Sequence, residues 1–359
     1  MKKTISILAA SALMAATLSG CAGNVDPAAL NQGGNQNNGG GQVVNVFNWG
    51  EYIDMDVLTA FEEKTGIEVN YTMYDTNESL YSKLKTESYD VVIPSDYMIA
   101  RMIEEGMLQK INFEHIPNYE DVDPAYKNLA YDPTNEYSVP YTWGTVGIIY
   151  NKDKVDEADL GSWDILWNPK YKGQTVMFDN SRDAMGLTLK FLGYSLNTTD
   201  EAELREAAQK IKSGKSNFQG FWMDQILEKL PSGEAWIAPY YAGDAVTMMA
   251  DAPNLGYFVP KEGTNMFVDA MCIPANAQNV ENAEAFINFM CETEIAKQNI
   301  EYIGYSTPLM SVKEALDDEI KNNPIAYPSE EVLANTETFI NLPEETNMLY
   351  DALWSDILK

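Results

Sequence analysis

The feature that most constrains the fold is an alternation of strand and helix patterns that begins with the apolar run VVNVF. A helical pattern follows, which begins near Asp54 and ends at Gly66. The strand pattern IEVNYTMY, a second helix that begins near Asn77, and the buried run DVVIPS complete a βαβαβ unit. Such units form a mostly parallel sheet with helices on both faces, and ligands bind at the carboxyl ends of its strands.

A second α/β region follows the stretch PYTWGTVGIIYN. It contains the strand TVMF, the polar loop DNSRD at the start of a helix, and the strand–turn–helix pattern EAWIAPYYAGDAV. Between them, Thr198 and Glu201 have the spacing of a capping box on a surface helix. The sequence therefore predicts an α/β protein with two regions of mostly parallel sheet.

Aromatic and acidic side chains follow the strand ends in both regions. Because the carboxyl ends of parallel strands meet at one edge, we expect these side chains to form the walls of one cleft. Each aromatic ring taken singly also fits partial burial in a core, and an acid at a helix start also complements the helix dipole. The candidates are Trp49, Glu51, Tyr52, Ser95, Asp96, Tyr97, Asp183, Tyr241, Asp244, Phe267, Asp269 and Tyr305.

This combination of side chains suits an organic cation. An ammonium group loses several kcal/mol of hydration when it leaves water, and close carboxylates and aromatic ring faces offset that loss. Each ring face contributes about 0.5–2 kcal/mol. Methylene stems between ammonium groups would pack on the same aromatic walls. The residues alone therefore favour a linear polyamine as the ligand.

The overall charge excludes some classes of partner. The formal net charge of −30 arises from 54 acidic and 24 basic residues, and this balance argues against nucleic acid or anionic lipid, both of which favour Lys and Arg. Most of the individual acids are typical of a solvated surface. The charge alone names no ligand.

Enzyme signatures are absent from the sequence. It has no nucleophile elbow, no phosphate loop and no metal-ligand spacing, and His115 is its single histidine. A zinc site or a Ser-His-Asp triad that needs more than one imidazole is therefore excluded. Paired carboxylates with aromatic platforms also suit a secreted glycosidase, which remains an alternative. We predict a binding protein that is not an enzyme and has no cofactor or metal.

The first twenty residues have the pattern of an export signal, with Lys2 and Lys3 before an apolar stretch too short to span a bilayer. The stretch ends in LSGC, in which small residues precede Cys21, as in a bacterial lipobox; the alternative is an ordinary signal peptide with a chance cysteine. Residues 21–42 include the tract NQGGNQNNGGGQ, which has nothing to bury and is typical of a flexible linker. We predict an exported chain with signal peptide 1–20, anchored to the membrane by lipid on Cys21.

The other two cysteines, Cys272 and Cys291, stand in the apolar contexts AMCIP and FINFMCETE. Cysteine in such contexts usually packs as a small hydrophobic residue. The sequence favours two separate thiols over a disulfide.

Several stretches resemble the spermidine/putrescine-binding proteins of polyamine ABC transporters. They are FNWGEYID, YDVVIPSDYM, YSVPYTWGTVGI, WDILWNPKYKGQ, LGYSLNTTD, FVDAMCIPANA and EYIGYSTP. The resemblance covers nearly the whole chain after the export segment. It implies a two-lobed periplasmic-binding-protein fold, each lobe a mostly parallel sheet flanked by helices, that closes on its ligand in the cleft between lobes. It also implies a monomer that delivers putrescine or spermidine to membrane permease subunits.

The resemblance carries over to individual positions. It assigns Trp49 and Tyr52 as cleft aromatic residues and Ser95 and Tyr97 as a Ser-x-Tyr loop. The acidic loop of the second lobe falls on DNSRD, where Asn180 replaces a family Asp and Asp183 a family Glu. The remaining carried-over positions are Tyr241, Phe267, Asp269 and Tyr305. The last polar contact, near the C-terminus, has no clear counterpart in residues 336–345.

Two substitutions bear on the choice of polyamine. Asp244 stands where putrescine binders have an Asp, and Asn180 removes one negative charge. Together they favour putrescine slightly over spermidine. Related ferric-iron-binding lipoproteins use adjacent tyrosines, and Tyr240 and Tyr241 offer such a pair, so iron remains an alternative. Successive strand residues point to opposite faces, however, and the pair need not converge.

The resemblance also implies lobe boundaries. Lobe 1 would comprise residues 43–145 and 270–307, and lobe 2 residues 146–269 and 308–359. The chain would cross between the lobes near Thr145 and Asp269. We expect the protein on the outer face of the bacterial cell membrane, on the periplasmic side in a cell with two membranes.

Overall fold

The structure is a computed structural model that describes residues 42–359, and these form one compact unit. The predicted signal peptide, Cys21 and nearly all of the predicted linker lie outside the described residues. The strands are β1 (Val43–Trp49), β2 (Glu68–Tyr74), β3 (Val91–Val92), β4 (Ser138–Asn151), β5 (Thr175–Phe178), β6 (Phe218–Trp222), β7 (Ile237–Tyr241), β8 (Leu255–Phe258), β9 (Thr264–Cys272) and β10 (Thr336–Glu337). The helices are α1 (Met55–Thr65), α2 (Asn77–Leu84), α3 (Asp96–Glu104), α4 (Ser181–Leu192), α5 (Glu201–Gly214), α6 (Ile226–Ser232), α7 (Ala242–Asp251), α8 (Val280–Met290), α9 (Thr293–Ile303), α10 (Met310–Ala315), α11 (Asp318–Lys321), α12 (Glu330–Leu333) and α13 (Glu344–Leu358).

The first βαβαβ unit forms as the sequence predicts. The side chain of Asp54 accepts a hydrogen bond from the backbone of Asp56 and caps α1, and Gly66 ends the helix in the left-handed conformation with φ 72°. Thr76 and Ser79 exchange side-chain and backbone hydrogen bonds at the start of α2. These local signals place β1, β2 and β3 side by side, with both strand pairs parallel.

Helix α5 has its N-cap two residues later than predicted, at Asp200 instead of Thr198. Asp200 caps it, because its carboxylate accepts hydrogen bonds from the backbone of Ala202 at 2.7 Å and of Glu203 at 3.4 Å. The Thr198 hydroxyl instead donates to the carboxylate of Glu203. The predicted Thr198–Glu201 capping box is therefore wrong, since Thr198 lies outside the helix.

The sheet has parallel pairs toward its two ends and antiparallel pairs in its middle. Its order is β2-β1-β3-β9-β4-β7-β5-β6, with β8 paired to β4 and β10 paired to β9. Strand β5 is parallel to β6 and β7, as β1 is to β2 and β3. The parallel strands of the two end groups therefore each present their own carboxyl edge, while β9 and β4 connect the groups. The α/β class predicted from the sequence is confirmed.

Strand β4 connects the two halves of this sheet. Its residues from Ser138 to Thr145 pair with β9, and its residues from Val146 onward pair with β7. The partner therefore changes between Thr145 and Val146. The division of the chain into two lobes at the residues stated above stays a prediction.

Cys272 and Cys291 are both buried free thiols, as the sequence favoured. Burial raises the pKa of each thiol above its usual value. Within residues 42–359, no helix is both long and apolar enough to cross a membrane.

Candidate ligand-binding cleft

A cleft of about 700 Å³, measured with its solvent-open part, lies where side chains from both halves of the sheet meet. The structure brings together all but one of the residues that the sequence singled out. Those that line the cleft are Trp49, Tyr52, Ser95, Asp96, Tyr97, Asn180, Asp183, Tyr241, Asp244, Phe267, Asp269 and Tyr305.

Glu51 is the predicted site residue that does not line this cleft. It is exposed and has a φ of 50°, in the left-handed region that residues other than glycine seldom adopt. This conformation belongs to the turn between Trp49 and Tyr52. The charge of Glu51 still acts on the site, because it contributes to raising the pKa of Asp244.

Sequence reasoning missed other lining residues, for different reasons. Asp75 follows β2 and Asp224 follows β6, so the rule that singled out the other strand ends would have found both. Asn77 begins α2, and Tyr240 was considered only as part of an iron-binding pair. Phe339 lies in the C-terminal stretch whose cleft contact the resemblance could not place. The lining is completed by Gly50, Tyr74, Met223 and Asn265.

Asp269 lies in strand β9 and is 5% exposed. Its Oδ2 accepts a hydrogen bond from the Tyr52 hydroxyl at 2.6 Å, while its Oδ1 is buried with no hydrogen-bond partner among the described residues. Burial raises its pKa from 3.8 to about 6, and the nearby polar side chains of Ser95 and Tyr52 oppose that rise. A buried carboxylate oxygen without a donor is costly unless a ligand supplies one.

Asn77 supports this arrangement from behind. Its amide nitrogen donates to the Ser95 hydroxyl, and its amide oxygen accepts from the Ser95 backbone, both at 3.1 Å. Ser95 in turn lies opposite Asp269, with which it forms an isolated antiparallel β-bridge. The Asn77 side chain therefore orients Ser95 beside the Asp269 carboxylate.

Asp183 lies in the first turn of α4 and is 9% exposed. It accepts a 2.8 Å hydrogen bond from the hydroxyl of Tyr241. Burial raises the pKa of Asp183 to about 7, the Tyr241 hydrogen bond lowers it, and the charges of Glu78 and Asp269 raise it further. The oxygen of Asn180 caps the same helix by accepting from the backbone of Arg182 and Asp183. Asn180 therefore holds the turn that carries Asp183.

Asp244 lies in the first turn of α7 and accepts a 2.7 Å hydrogen bond from the hydroxyl of Tyr305. Burial raises the pKa of Asp244 to about 7, the Tyr305 hydrogen bond lowers it, and the charges of Asp224 and Glu51 raise it. Gly243 permits this contact, because a Cβ there would lie 2.2 Å from the Tyr305 ring. Three carboxylates of the cleft are thus each held by one tyrosine hydroxyl.

Asp96 has a different environment. It is 1% exposed and accepts hydrogen bonds from the backbone of Tyr97 at 2.7 Å and of Val268 at 3.4 Å. Burial raises its pKa well above the usual value. Its oxygens are therefore committed to joining α3 to β9, although its side chain borders the cleft.

The carboxylates of the cleft and its rim form two groups according to which charges act on each other. The charge of Asp269 raises the pKa of Asp183, whereas the charge of Asp224 raises that of Asp244. One group comprises Glu78, Asp96, Asp183 and Asp269. The other comprises Glu51, Asp75, Asp224 and Asp244.

Aromatic rings form the walls near these groups. The Trp49 indole donates to the Ile93 carbonyl at 2.9 Å and its ring lies 4.6 Å from that of Tyr74. The Phe267 ring packs edge-on against Tyr241 at 5.6 Å. Rings fixed in this way offer faces to cations and apolar surface to methylene chains. The arrangement suits a ligand with separated positive charges on an apolar chain.

Comparison with known proteins identifies the family. Residues 56–328 match the sequence family described as bacterial extracellular solute-binding protein. The chain belongs to this family. Its extracellular setting supports the prediction that the chain is exported, and its members are described by the solutes they bind rather than by a reaction.

Individual members of this family that are similar to the chain include proteins named for spermidine and putrescine. The spermidine/putrescine-binding periplasmic protein of Escherichia coli (strain K12) is 38% identical over 294 residues, which cover 81% of this chain and 84% of that protein. The spermidine/putrescine ABC transporter substrate-binding protein PotD of Streptococcus pneumoniae is 38% identical, with a TM-score of 0.75 over 89% of this chain and 100% of that one. The Tp0655 (TpPotD) lipoprotein of Treponema pallidum is 29% identical, with a TM-score of 0.78 over 88% of this chain and 99% of that one.

These similarities confirm the family resemblance and the periplasmic-binding-protein fold expected from the sequence. They do not favour the ferric-iron alternative. The Tyr241 hydroxyl donates to Asp183, and within residues 42–359 no group of three or more His, Cys, Asp or Glu side chains is placed to hold a metal ion.

Proposed function

We propose that this solute-binding protein binds a linear polyamine, putrescine or spermidine, outside the cell and delivers it to the permease subunits of an ABC transporter for uptake. The observation that carries the proposal is that three carboxylates, Asp183, Asp244 and Asp269, are each held by a tyrosine hydroxyl in one cleft with aromatic walls. Two ammonium groups joined by methylenes match this arrangement of charge and apolar surface. Relatives named for spermidine and putrescine support it.

Each ammonium group has a proposed position. The unpartnered Oδ1 of Asp269 accepts from one of them, with Asp183 beside it. Asp244 accepts from the other, with the tyrosine hydroxyl of Tyr305 holding its carboxylate in place. Trp49 and Phe267 cover the methylene chain between them. The other predicted lining residues complete the proposed site, and Glu51 acts on it through charge from the rim.

The carboxylate groups favour a short diamine as the better ligand. Asp244 supplies a carboxylate for the second ammonium. The amide oxygen of Asn180 caps α4 by accepting backbone hydrogen bonds and so does not bind a third cation. We therefore propose putrescine ahead of spermidine.

The anchoring and division of the chain are also proposed. Lipid on Cys21 would hold the protein at the membrane surface, and residues 21–42 would serve as the tether. The related Treponema pallidum protein is named a lipoprotein, which supports this anchor. A monomer with the two stated lobes, closing by rotation near Thr145 and Asp269, would present its closed form to the permease.

Calorimetric titration tests the proposal. The protein is unfolded and refolded to remove carried-over ligand, and then titrated with putrescine, spermidine and ferric citrate in turn. We expect micromolar or tighter binding of the polyamines, with putrescine the tighter, and no heat of binding with ferric citrate. No heat with either polyamine would overturn the proposed function, and iron binding with a coloured product would establish the alternative.

A further inference from the structure

Arg182 is a buried cation beside the cleft that the proposed site does not use. It lies in the first turn of α4, is 4% exposed and does not line the cleft. Among the described residues it forms no ion pair, and its Nε is buried without a hydrogen-bond partner. A guanidinium in such a place is costly to desolvate, so its surroundings must compensate by other means.

Aromatic rings supply part of that compensation, beside the charges of Asp96 and Asp183. The guanidinium carbon lies 4.9 Å from the ring centre of Tyr97, 4.6 Å from that of Phe339 and 5.3 Å from that of Tyr350. A terminal nitrogen of Arg182 also donates to the carbonyl of Ile340 at 3.3 Å. The planar guanidinium group is suited to stacking on several ring faces at once.

The rings that Arg182 contacts belong to distant parts of the fold. Tyr97 lies in the first turn of α3, which follows β3 in one half of the sheet. Arg182 lies in the first turn of α4, which follows β5 in the other half. Phe339 belongs to the segment between β10 and α13. The rings of Tyr97 and Phe339 also meet edge-on, with centres 5.8 Å apart, and both line the cleft. Arg182 therefore lies behind the point where one cleft wall joins the two halves.

A second contact also joins α3 to the segment between β10 and α13. The amide of Asn341 donates to the carboxylate of Glu104, at the end of α3, at 2.7 Å. The C-terminal segment, residues 338–343, therefore contacts α3 at two places. Phe339 contacts the start of the helix, and Asn341 contacts its end. Neither contact involves a carboxylate of the proposed ammonium positions.

We infer that Arg182 is a positioning residue that clamps Tyr97 and Phe339 together across the two halves of the sheet and so slows the escape of ligand from the cleft. The inference rests on the proposed function, because it concerns retention of the proposed polyamine. Arg182 touches the walls of the cleft and not the ligand. Its loss acts on the opening of the cleft. The charge of Arg182 also lowers the pKa of Asp96 and of Asp183, and Arg182→Lys keeps that charge while removing the planar face.

The chain offers a matched control on the same helix. Lys190, also in α4, forms a 2.8 Å ion pair with Glu337 of β10, just before the segment that carries Phe339. Lys190→Met therefore loosens the same C-terminal segment from α4 without touching a cleft wall. Arg182→Met removes the guanidinium and keeps a side chain of similar length, and Arg182→Lys keeps the charge without the planar face.

The test measures association and dissociation rates of putrescine and spermidine with the full protein, by stopped-flow tryptophan fluorescence. In Arg182→Met we expect the dissociation rate of both polyamines to rise about tenfold or more, with the association rate changed less than about twofold, because most interface changes act on dissociation. The dissociation rate of Arg182→Lys should lie between the rates of Arg182→Met and the original chain. Lys190→Met should match the original chain. An unchanged dissociation rate in Arg182→Met, or an equal rise in Lys190→Met, would overturn the inference.

A second measurement needs no polyamine and so separates the clamp from the proposed function. Amide hydrogen exchange of the ligand-free protein should quicken in residues 96–104 and 336–343 in Arg182→Met, and only in the second segment in Lys190→Met. If the original chain bound neither polyamine, the proposed function would be wrong. The exchange pattern would still show whether Arg182 holds Tyr97 and Phe339 together. Unchanged exchange in residues 96–104 in both Arg182→Met and Arg182→Lys would refute it.

Discussion

The Tyr52 hydroxyl donates a 2.6 Å hydrogen bond to Oδ2 of Asp269, and Oδ1 of the same carboxylate is buried with no partner in residues 42–359. Tyr52 comes from the turn after β1 and Asp269 from β9, so two distant segments fix one carboxylate in the cleft. The tyrosine holds one oxygen in place, and the other is left to accept from a ligand. This division of roles suits recognition of an ammonium group.

Asp269→Asn should weaken the binding of putrescine and spermidine by about 2–5 kcal/mol, because it removes the charge that faces a buried ammonium. The amide remains close in size to the carboxylate, so the fold should be retained. Titration calorimetry measures the loss. Tyr52→Phe, which leaves the charge and removes only the hydroxyl, should cost less. Equal affinity for Asp269→Asn and the original chain would remove Asp269 from the site.

Polyamine affinity should fall as pH falls from 8 to 5. Asp183 and Asp244 have pKa values of about 7 and Asp269 of about 6, all raised from 3.8, so they are ionised at pH 8 and become protonated within this range. The amines stay charged throughout, since amine pKa values are near 10. Binding near pH 6.5 should therefore release protons. Calorimetry in buffers with different ionisation enthalpies counts them, and a pH-independent affinity would contradict the raised pKa values.

Asp244→Asn should stabilise the ligand-free protein at pH 8 and weaken its binding of putrescine. A carboxylate with a raised pKa contributes stability below its unfolded pKa of 3.8, which is lost as pH rises through about 7, so its charged form costs stability at pH 8. Removing the charge should regain on the order of 1–3 kcal/mol. Thermal unfolding at pH 8 and pH 4 measures the change, which should vanish at the lower pH.

The control for that variant is Asp251→Asn, at the exposed end of the same helix. It should alter neither unfolding at pH 8 nor putrescine binding. If both substitutions stabilised the protein equally, the effect would come from the overall negative charge and not from the environment of Asp244.

Gly243→Ala should disrupt the Tyr305–Asp244 contact. The added Cβ would lie 2.2 Å from the Tyr305 ring, and the ring must shift to make room. We expect destabilisation of about 1–3 kcal/mol, which is typical of overpacking, together with weaker putrescine binding. Tyr305→Phe serves as the comparison, since it removes the hydroxyl and keeps the ring. Chemical denaturation measures the change in stability, and calorimetry measures the change in putrescine affinity. If Gly243→Ala kept both the stability and the affinity of the original chain, the position of the Tyr305 ring would not be required.

Much of the cleft could be predicted because it is built at strand ends. The rule that places ligands at the carboxyl edge found Trp49, Asp183 and Tyr241 from apolar runs and the residues that follow them. Applied to every strand, it would also have found Asp75 and Asp224. The helix ends at Asp54 and Gly66 were predictable for a similar reason, since capping depends on a few neighbouring residues. The Thr198 error shows the limit of spacing alone.

Other parts of the site depend on contacts between distant segments. Phe339 stands in a stretch with no helical or strand periodicity, and it reaches the cleft only because Arg182 and Tyr97 pack against it. The buried state of Arg182 likewise could not be foreseen, because a basic residue near a helix start usually lies in solvent. Glu51 was predicted as a wall residue, but its turn conformation leaves it at the rim.

The pairing of β3 with β9 has a consequence for the time course of folding. Val92 cannot meet its neighbour Cys272 until most of the chain has been synthesised. Contacts between residues so far apart in sequence form slowly, because closing the long loop between them costs entropy before the contacts stabilise the structure. The pairing of β3 with β9 therefore waits for residues that leave the ribosome much later. For a chain of an extracellular family, a sheet that is completed late leaves more time for export before the fold closes.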